Sequence, residues 1–236
     1  MARLNFIIML SLVIFLIGCG KEYGKTEWNL NDKEYLDKPG LSVLAFHDFY
    51  PTGSQGGIEI IQHGERIAAN GFIRMQPVDG KRIPDPLGAL REIDSANQVI
   101  KSVVSYKDFG FKYAIRIWPD GNSIHLAVDL DKPLPKEWEK KLTFDLNFFP
   151  PLYVGKSWQV GESFGYIPKQ ALGSKFKNAD GILRPVPMGK GNKLTLAAED
   201  PMRKVVIENP KSDLIVTDNR STGYGNCNSV SPDKRN

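Results

Sequence analysis

The stretch KYAIRIWPDGNSIHLAVDL, residues 112–130, decides the fold class. Tyr113, Ile115 and Ile117 alternate with Lys112, Ala114, Arg116 and Trp118. Ile124, Leu126, Val128 and Leu130 alternate with Ser123, His125, Ala127 and Asp129. Between the two arms stands Pro119-Asp120-Gly121-Asn122, a turn sequence in which glycine can take a positive φ. Period-2 alternation on both arms predicts an antiparallel hairpin with one apolar and one mixed polar face.

Working outward, the chain offers further short runs of the same kind: 41–50, 58–62, 72–76, 98–106, 141–149, 193–197, 204–208 and 214–217. Gly, Pro, Asn and Asp punctuate them, which marks strands joined by turns. In 141–149, Leu142, Phe144, Leu146 and Phe148 repeat the alternation, with Thr143, Asp145 and Asn147 opposite. No window of helical length carries a sustained 3.6-residue apolar period, and one helical turn is expected at Pro135–Trp138. The expectation is an all-β fold with minimal helix, two antiparallel sheets packed by their apolar faces into a β-sandwich. A chain of this length can also build the larger two-sheet supersandwich of galactose-mutarotase type.

The 236 residues hold one domain or two small ones, and 41% hydrophobic with 25% charged residues is ordinary for a globular chain. A net charge of +4, with Lys and Arg unclustered, gives no nucleic-acid footprint. Two cysteines cannot build a disulfide framework or a four-ligand zinc site. No zinc, P-loop or Gly-x-Ser-x-Gly motif occurs, so neither metal nor cofactor is expected.

The first residues read as an address. Arg3 precedes an apolar run, Phe6–Ile17, that is shorter than the ~18–20 residues a spanning helix needs. The run ends Leu16-Ile17-Gly18-Cys19, which resembles the bacterial lipobox. That resemblance implies cleavage before Cys19 and a lipid on its sulfur, anchoring the chain to a membrane without spanning it. Lys21-Glu22 resembles a surface-export signal, so the expected location is the cell envelope, at the outer membrane or cell surface. With Cys19 lipidated, Cys227 has no intrachain partner. The expected division is a signal peptide (1–18), a polar tether (19–40), a β-sandwich domain (41–217) and an unpatterned tail (218–236).

Four residues on the polar face of the hairpin are candidates for binding carbohydrate: Arg116, Trp118, His125 and Asp129. An aromatic ring can cover the apolar C–H face of a sugar while charged and amide groups bond its hydroxyls. The same mixture is also what a solvated outer face carries. Asp145 and Asn147 are placed near this face. His63 falls in a turn, and His47 with Asp48 cannot form a dyad because strand neighbours point to opposite faces. Asp129 and Asp131 share a parity, but spacing alone does not set two carboxyls at the separation glycoside hydrolysis needs.

Several phrases in combination resemble a known family. They are Trp28-Asn29-Leu30-Asn31-Asp32, Phe46-His47-Asp48-Phe49-Tyr50-Pro51, and the run from Gln55 through Gly64 to Asn70-Gly71. Further on stand 131–138, Phe149-Pro150, Gly155-Lys156-Ser157-Trp158 and Glu199-Asp200-Pro201. Together they resemble the N-terminal β-rich segment of exported bacterial glycoside hydrolases of family nine, the cellulase-like group. In that family the segment precedes an immunoglobulin-like module and a helical barrel that carries the catalytic carboxylates. This chain has neither the length nor the helices for the barrel, so no catalytic residue carries over. The resemblance implies the appended module without its enzyme, and the tail is what a truncated or frame-shifted hydrolase gene would leave.

The expected function is a non-catalytic, carbohydrate-associated module of an envelope lipoprotein, its partners a membrane through Cys19 and a polysaccharide. Two alternatives stand beside it. One is a sugar-active enzyme of mutarotase or lyase type using His125 and Asp129; the other is a glycan-capture lipoprotein.

Overall fold

A computed structural model describes residues 27–50, 53–75, 88–106, 111–139, 141–171, 173–178, 181, 183–222 and 228–232. Strands β1 (Asn29–Leu30), β2 (Leu36–Lys38), β3 (Leu41–Tyr50), β4 (Gly53–Gln62) and β5 (Glu65–Met75) form a meander. Strands β6 (Gly88–Asp94), β7 (Val99–Ser105), β8 (Lys112–Asp120) and β9 (Ser123–Leu130) form a separate four-stranded sheet in that order. The chain then returns to the meander with β10 (Leu142–Phe148), which pairs with β5.

Next come β11 (Ser157–Val160), β12 (Ser163–Tyr166) and a two-stranded ribbon of β13 (Lys175–Lys177) and β14 (Leu183–Pro185). They are followed by β15 (Gly189–Gly191), β16 (Lys193–Leu196), β17 (Val205–Glu208), β18 (Leu214–Asp218) and β19 (Asn228–Pro232). The largest sheet has the order β1-β2-β3-β4-β5-β10-β19-β18-β15, and a smaller one the order β12-β11-β16-β17. The strand pairs within the sheets are antiparallel. The fold is all-β, as the alternation requires. Helix among the described residues is confined to 3-10 turns at Lys136–Trp138, Pro150–Leu152 and Asn219–Thr222, the first where the sequence placed one.

Alternation explains the layering. Tyr113, Ile115 and Ile117 of β8 are buried, with Ile100 and Val104 of β7 beside them. The β6–β9 sheet packs this face on β3, whose Val43 and Ala45 are buried. Elsewhere in the core, Trp158, Leu194 and Leu196 of the smaller sheet join Phe148 and Val216 around a small apolar cavity. One contiguous apolar cluster runs from Trp28 to Val216 through both regions.

The structure moves both expected edges of the domain. It does not begin at residue 41: Trp28 is buried, Leu36 is fully buried, and β1 and β2 extend the large sheet. Within the expected tether, the Asn31 side chain accepts hydrogen bonds from the backbone of Lys33 and Tyr35, both at 3.0 Å, turning β1 into β2. Strands of two and three residues are too short for alternation to register. Nor does strand structure end at Thr217. Residues 228–232 lie between β10 and β18, Val230 opposite both Leu146 and Val216. A strand flanked on both sides is held by backbone bonding, which a polar sequence supplies as well as an apolar one. Cys19, the signal segment and Cys227 lie outside the described residues.

Candidate functional site

The β8–β9 hairpin closes through a two-residue loop with Asp120 opposite Ser123. Gly121 takes the first loop position at φ +56, a conformation that suits a tight hairpin turn and that glycine adopts without steric cost. This turn sets the register: Trp118 faces His125, Arg116 faces Ala127, and Ala114 faces Asp129. Directly opposed residues share a face. Arg116, Trp118, His125 and Asp129 therefore stand together on the outer face of the sheet, as the parity of the sequence requires.

Their contacts form a chain along the hairpin. Arg116 donates from Nε to Asp129 Oδ2 at 2.8 Å and from a terminal nitrogen to Oδ1 at 3.2 Å, a two-pronged pair. The same guanidinium lies 4.6 Å from the centre of the Trp118 ring. On the neighbouring strand the His125 ring stacks on Trp118, centroids 5.4 Å apart and planes 23° from parallel. His125 Nε2 reaches Asp120 Oδ2 at 2.9 Å. One row further into the sheet, Lys101 of β7 sits opposite Arg116 and pairs with Glu92 of β6 at 2.9 Å.

Those contacts set the electrostatics. The hydrogen bonds from Arg116 hold the Asp129 carboxyl below the usual carboxylate range; partial burial opposes this, and the charges of Arg116 and Lys101 add to it. Reciprocally, Asp129 raises the Arg116 guanidinium. Asp129 is thus an anion with both oxygens committed to Arg116, a poor proton carrier near neutrality. His125 meets Asp120 rather than Asp129, so the two residues named for sugar chemistry have different partners. What the face offers is an indole ring, a half-exposed imidazole beside Asp120 and two charge pairs, Arg116–Asp129 and Lys101–Glu92, on an open surface.

The other sequence candidates separate from this face. Asp145 and Asn147 belong to β10 in the large sheet, not to the hairpin sheet. Asp145 pairs with Arg74 at 2.8 Å, and Asn147 is buried. A β-bulge between Asp145 and Asn147 also interrupts the simple alternation read there. Asp131 caps the hairpin base, accepting from the Lys112 backbone at 2.8 Å. His63 occupies the turn after β4 at φ +50 and donates its backbone N–H to Gly40 at 2.8 Å, a loop role. His47 lies on β3 opposite Gly56. Among the described residues no three His, Cys, Asp or Glu side chains are grouped to hold a metal. Among them, too, no helix is long and apolar enough to cross a membrane.

Sequence reasoning missed one exposed aromatic pair. Phe164 and Tyr166 on β12 are 79% and 72% exposed. Gly165 between them faces inward, where an added Cβ would lie 3.2 Å from the Trp158 indole nitrogen. The available signal was the aromatic-Gly-aromatic spacing in Ser163-Phe164-Gly165-Tyr166, an alternation whose inner member is glycine. A second feature ties the hairpin tip to the N-terminal strands: Lys38 lies 4.4 Å over the Trp28 ring and donates to the Asn122 carbonyl at 3.0 Å. Burial lowers the pKa of Lys38. In comparisons with protein-family models, curated proteins and solved structures, the chain matches none.

Proposed function

We propose that this chain is a non-catalytic, carbohydrate-associated module of a lipid-anchored envelope protein, related to the β-rich segment of family-nine glycoside hydrolases. The observation that carries the proposal is the outer face of β8 and β9. There Trp118 stands on an open sheet surface beside Arg116, His125 and Asp129, with Arg116 paired to Asp129 and His125 in contact with Asp120. An open face with a ring and fixed hydrogen-bonding groups suits a neutral, hydroxyl-rich chain lying across it. The alternative of acid–base sugar chemistry at His125 and Asp129 is disfavoured because Arg116 occupies the Asp129 carboxylate. Attachment to the membrane falls to a lipid on Cys19.

The catalytic half of the proposal is tested by incubating the mature chain with cellulose, xylan and mixed-linkage glucan and measuring new reducing ends. No release above buffer is expected, and clear turnover of any of the three overturns it. Mass spectrometry of the mature N-terminus checks the anchor: a diacylglyceryl mass on Cys19 is expected, and an unmodified N-terminal residue contradicts it.

A further inference from the structure

The β6-β7-β8-β9 sheet has two edges, and they differ. At one edge, β6 carries Glu92 and Asp94 and turns Arg91 to the inner side, where it pairs with Glu34. An inward charge of this kind is how natural edge strands resist pairing. At the other edge, β9 runs for eight residues, Ser123–Leu130, without a bulge, a proline or a lysine. Its Ile124, Leu126, Val128 and Leu130 lie opposite Pro119, Ile117, Ile115 and Tyr113 and share the inner, apolar face. The packing of this sheet on β3 comes chiefly from β6, β7 and β8. Strand β9 overhangs, and Leu126 and Leu130 stay 38% and 41% exposed on a face that is buried along β8.

The backbone of β9 identifies the kind of partner that fits. The Asp131 N–H donates to the Lys112 carbonyl at 3.1 Å, which fixes the phase of the ladder. Odd-numbered residues of β9 spend their backbone groups on β8, and even-numbered ones aim theirs outward. Ile124, Leu126, Val128 and Leu130 therefore present four N–H and four C=O groups along the edge. Among the described residues no other strand or loop bonds to them. An extended chain matches such a row, and a second β9, run antiparallel, completes it. With Ile124 opposite Leu130 of the other copy and Leu126 opposite Val128, all four residues of each strand exchange hydrogen bonds. A shift to the next allowed register, either way, loses one of these pairs. The same register sets His125 opposite Asp129 on the outer face, imidazole against carboxylate, and Ser123 opposite Asp131. No like charges meet, directly or diagonally. Each Asp129 oxygen carries one bond from Arg116 and keeps a lone pair for another.

We infer that β9 is a self-pairing edge: a second copy of the chain adds its own β9 antiparallel, about a two-fold axis between the two Ala127 residues. The pairing covers Leu126 and Leu130 with Val128 and Ile124 of the other copy and joins two four-stranded sheets into one. Because the contact is the same patch on both copies, it occupies both edges and closes at a dimer. It also lays the Arg116, Trp118, His125 and Asp129 groups of two copies side by side on one outer face. The inference stands on the strand edge and does not depend on the carbohydrate role.

Cysteine capture tests the register. The mature chain from Gly20 is made with Cys227→Ser, so that an introduced cysteine is its one thiol. In the dimer Ala127 faces its own copy in a non-hydrogen-bonded pair, with Cα atoms about 4.5 Å apart and within disulfide reach. Ser123, on the same face of the same strand, lies about 27 Å from its copy. Under mild oxidation Ala127→Cys should give at least ten times more disulfide-linked dimer than Ser123→Cys. Adding Leu126→Lys or Leu130→Lys to Ala127→Cys should cut that yield at least tenfold, with circular dichroism checking that each variant stays folded. Sedimentation velocity of the unsubstituted mature chain should show dimer growing with concentration. Equal yields at the two cysteine positions, no dimer from Ala127→Cys, or a yield that survives both lysine variants overturns the inference. A mature chain that stays monomeric at every concentration overturns it as well.

Discussion

Ile115 and Arg116 are adjacent on β8 and point to opposite sides of the sheet, so replacing each by alanine measures the two faces separately. Ile115 is fully buried in the apolar cluster, and its neighbours across the strands are Ser102 and Val128. Removing a buried isoleucine costs both transfer free energy and a residual cavity, about 2–5 kcal/mol. Arg116 contributes differently. Its pair with Asp129 is substantially exposed, at 36% and 43%, where ion pairs contribute only ~0.2–1 kcal/mol. Its position over Trp118 adds about 0.5–1 kcal/mol at an exposed site. Arg116→Ala should therefore cost about 1 kcal/mol and Ile115→Ala roughly three times as much. Urea denaturation followed by tryptophan fluorescence gives both values, provided the slope m is unchanged between variants. A double-mutant cycle of Arg116 with Asp129 should return a coupling of about 0.5 kcal/mol. The two-faced reading of the hairpin is refuted if Arg116→Ala destabilises as much as Ile115→Ala, or if Ile115→Ala costs less than ~1 kcal/mol.

Three further outcomes follow from local geometry. Because Arg116 depresses the folded-state pKa of Asp129, the stability from this pair is present above the unfolded carboxyl pKa, near 3.9, and is lost as pH falls through the lower folded value. Asp129→Asn should flatten the acid limb of a Tm-against-pH curve without abolishing it, since Glu199 and Asp200 are shifted in the same direction; an unchanged limb would contradict the pairing. Gly57 sits at φ +89 with the Gly71 carbonyl oxygen 2.1 Å from where a Cβ would be, so Gly57→Ala should cost about 3 kcal/mol in a thermal melt. Deleting residues 223–236 removes β19 and leaves β10 and β18 as open edges, so size-exclusion chromatography should show association or aggregation in place of the wild-type profile.

Much of the fold was legible because one-sided sheets write their faces into alternate residues. The bounds of Leu41–Tyr50 and Ser123–Leu130 coincide with β3 and β9. Other strands broke the code for identifiable reasons. In β6, Arg91 shares the inward parity of Ile93 and reaches Glu34 at 3.1 Å, so a charge stands where an apolar residue would be read. In β12 the inward residue is Gly165, which packs under Trp158 and adds no hydrophobic mark of its own. β19 is held by its neighbours' backbones rather than by its own pattern. The candidate site divides similarly. Parity placed Arg116, Trp118, His125 and Asp129 on one face, but not the partner choices: a two-pronged arginine reaches Asp129 along the face, and the hairpin turn brings Asp120 to His125. The same parity rule, applied to β10, put Asp145 and Asn147 near a sheet they do not join, because alternation says which side a residue faces and not which sheet carries it.

The carbohydrate role is tested most directly by native electrophoresis of the mature chain through gels cast with and without soluble neutral β-glucans. Retarded migration in at least one glucan gel, relative to a reference protein that does not bind, is expected. Unretarded migration in every glucan gel would contradict it.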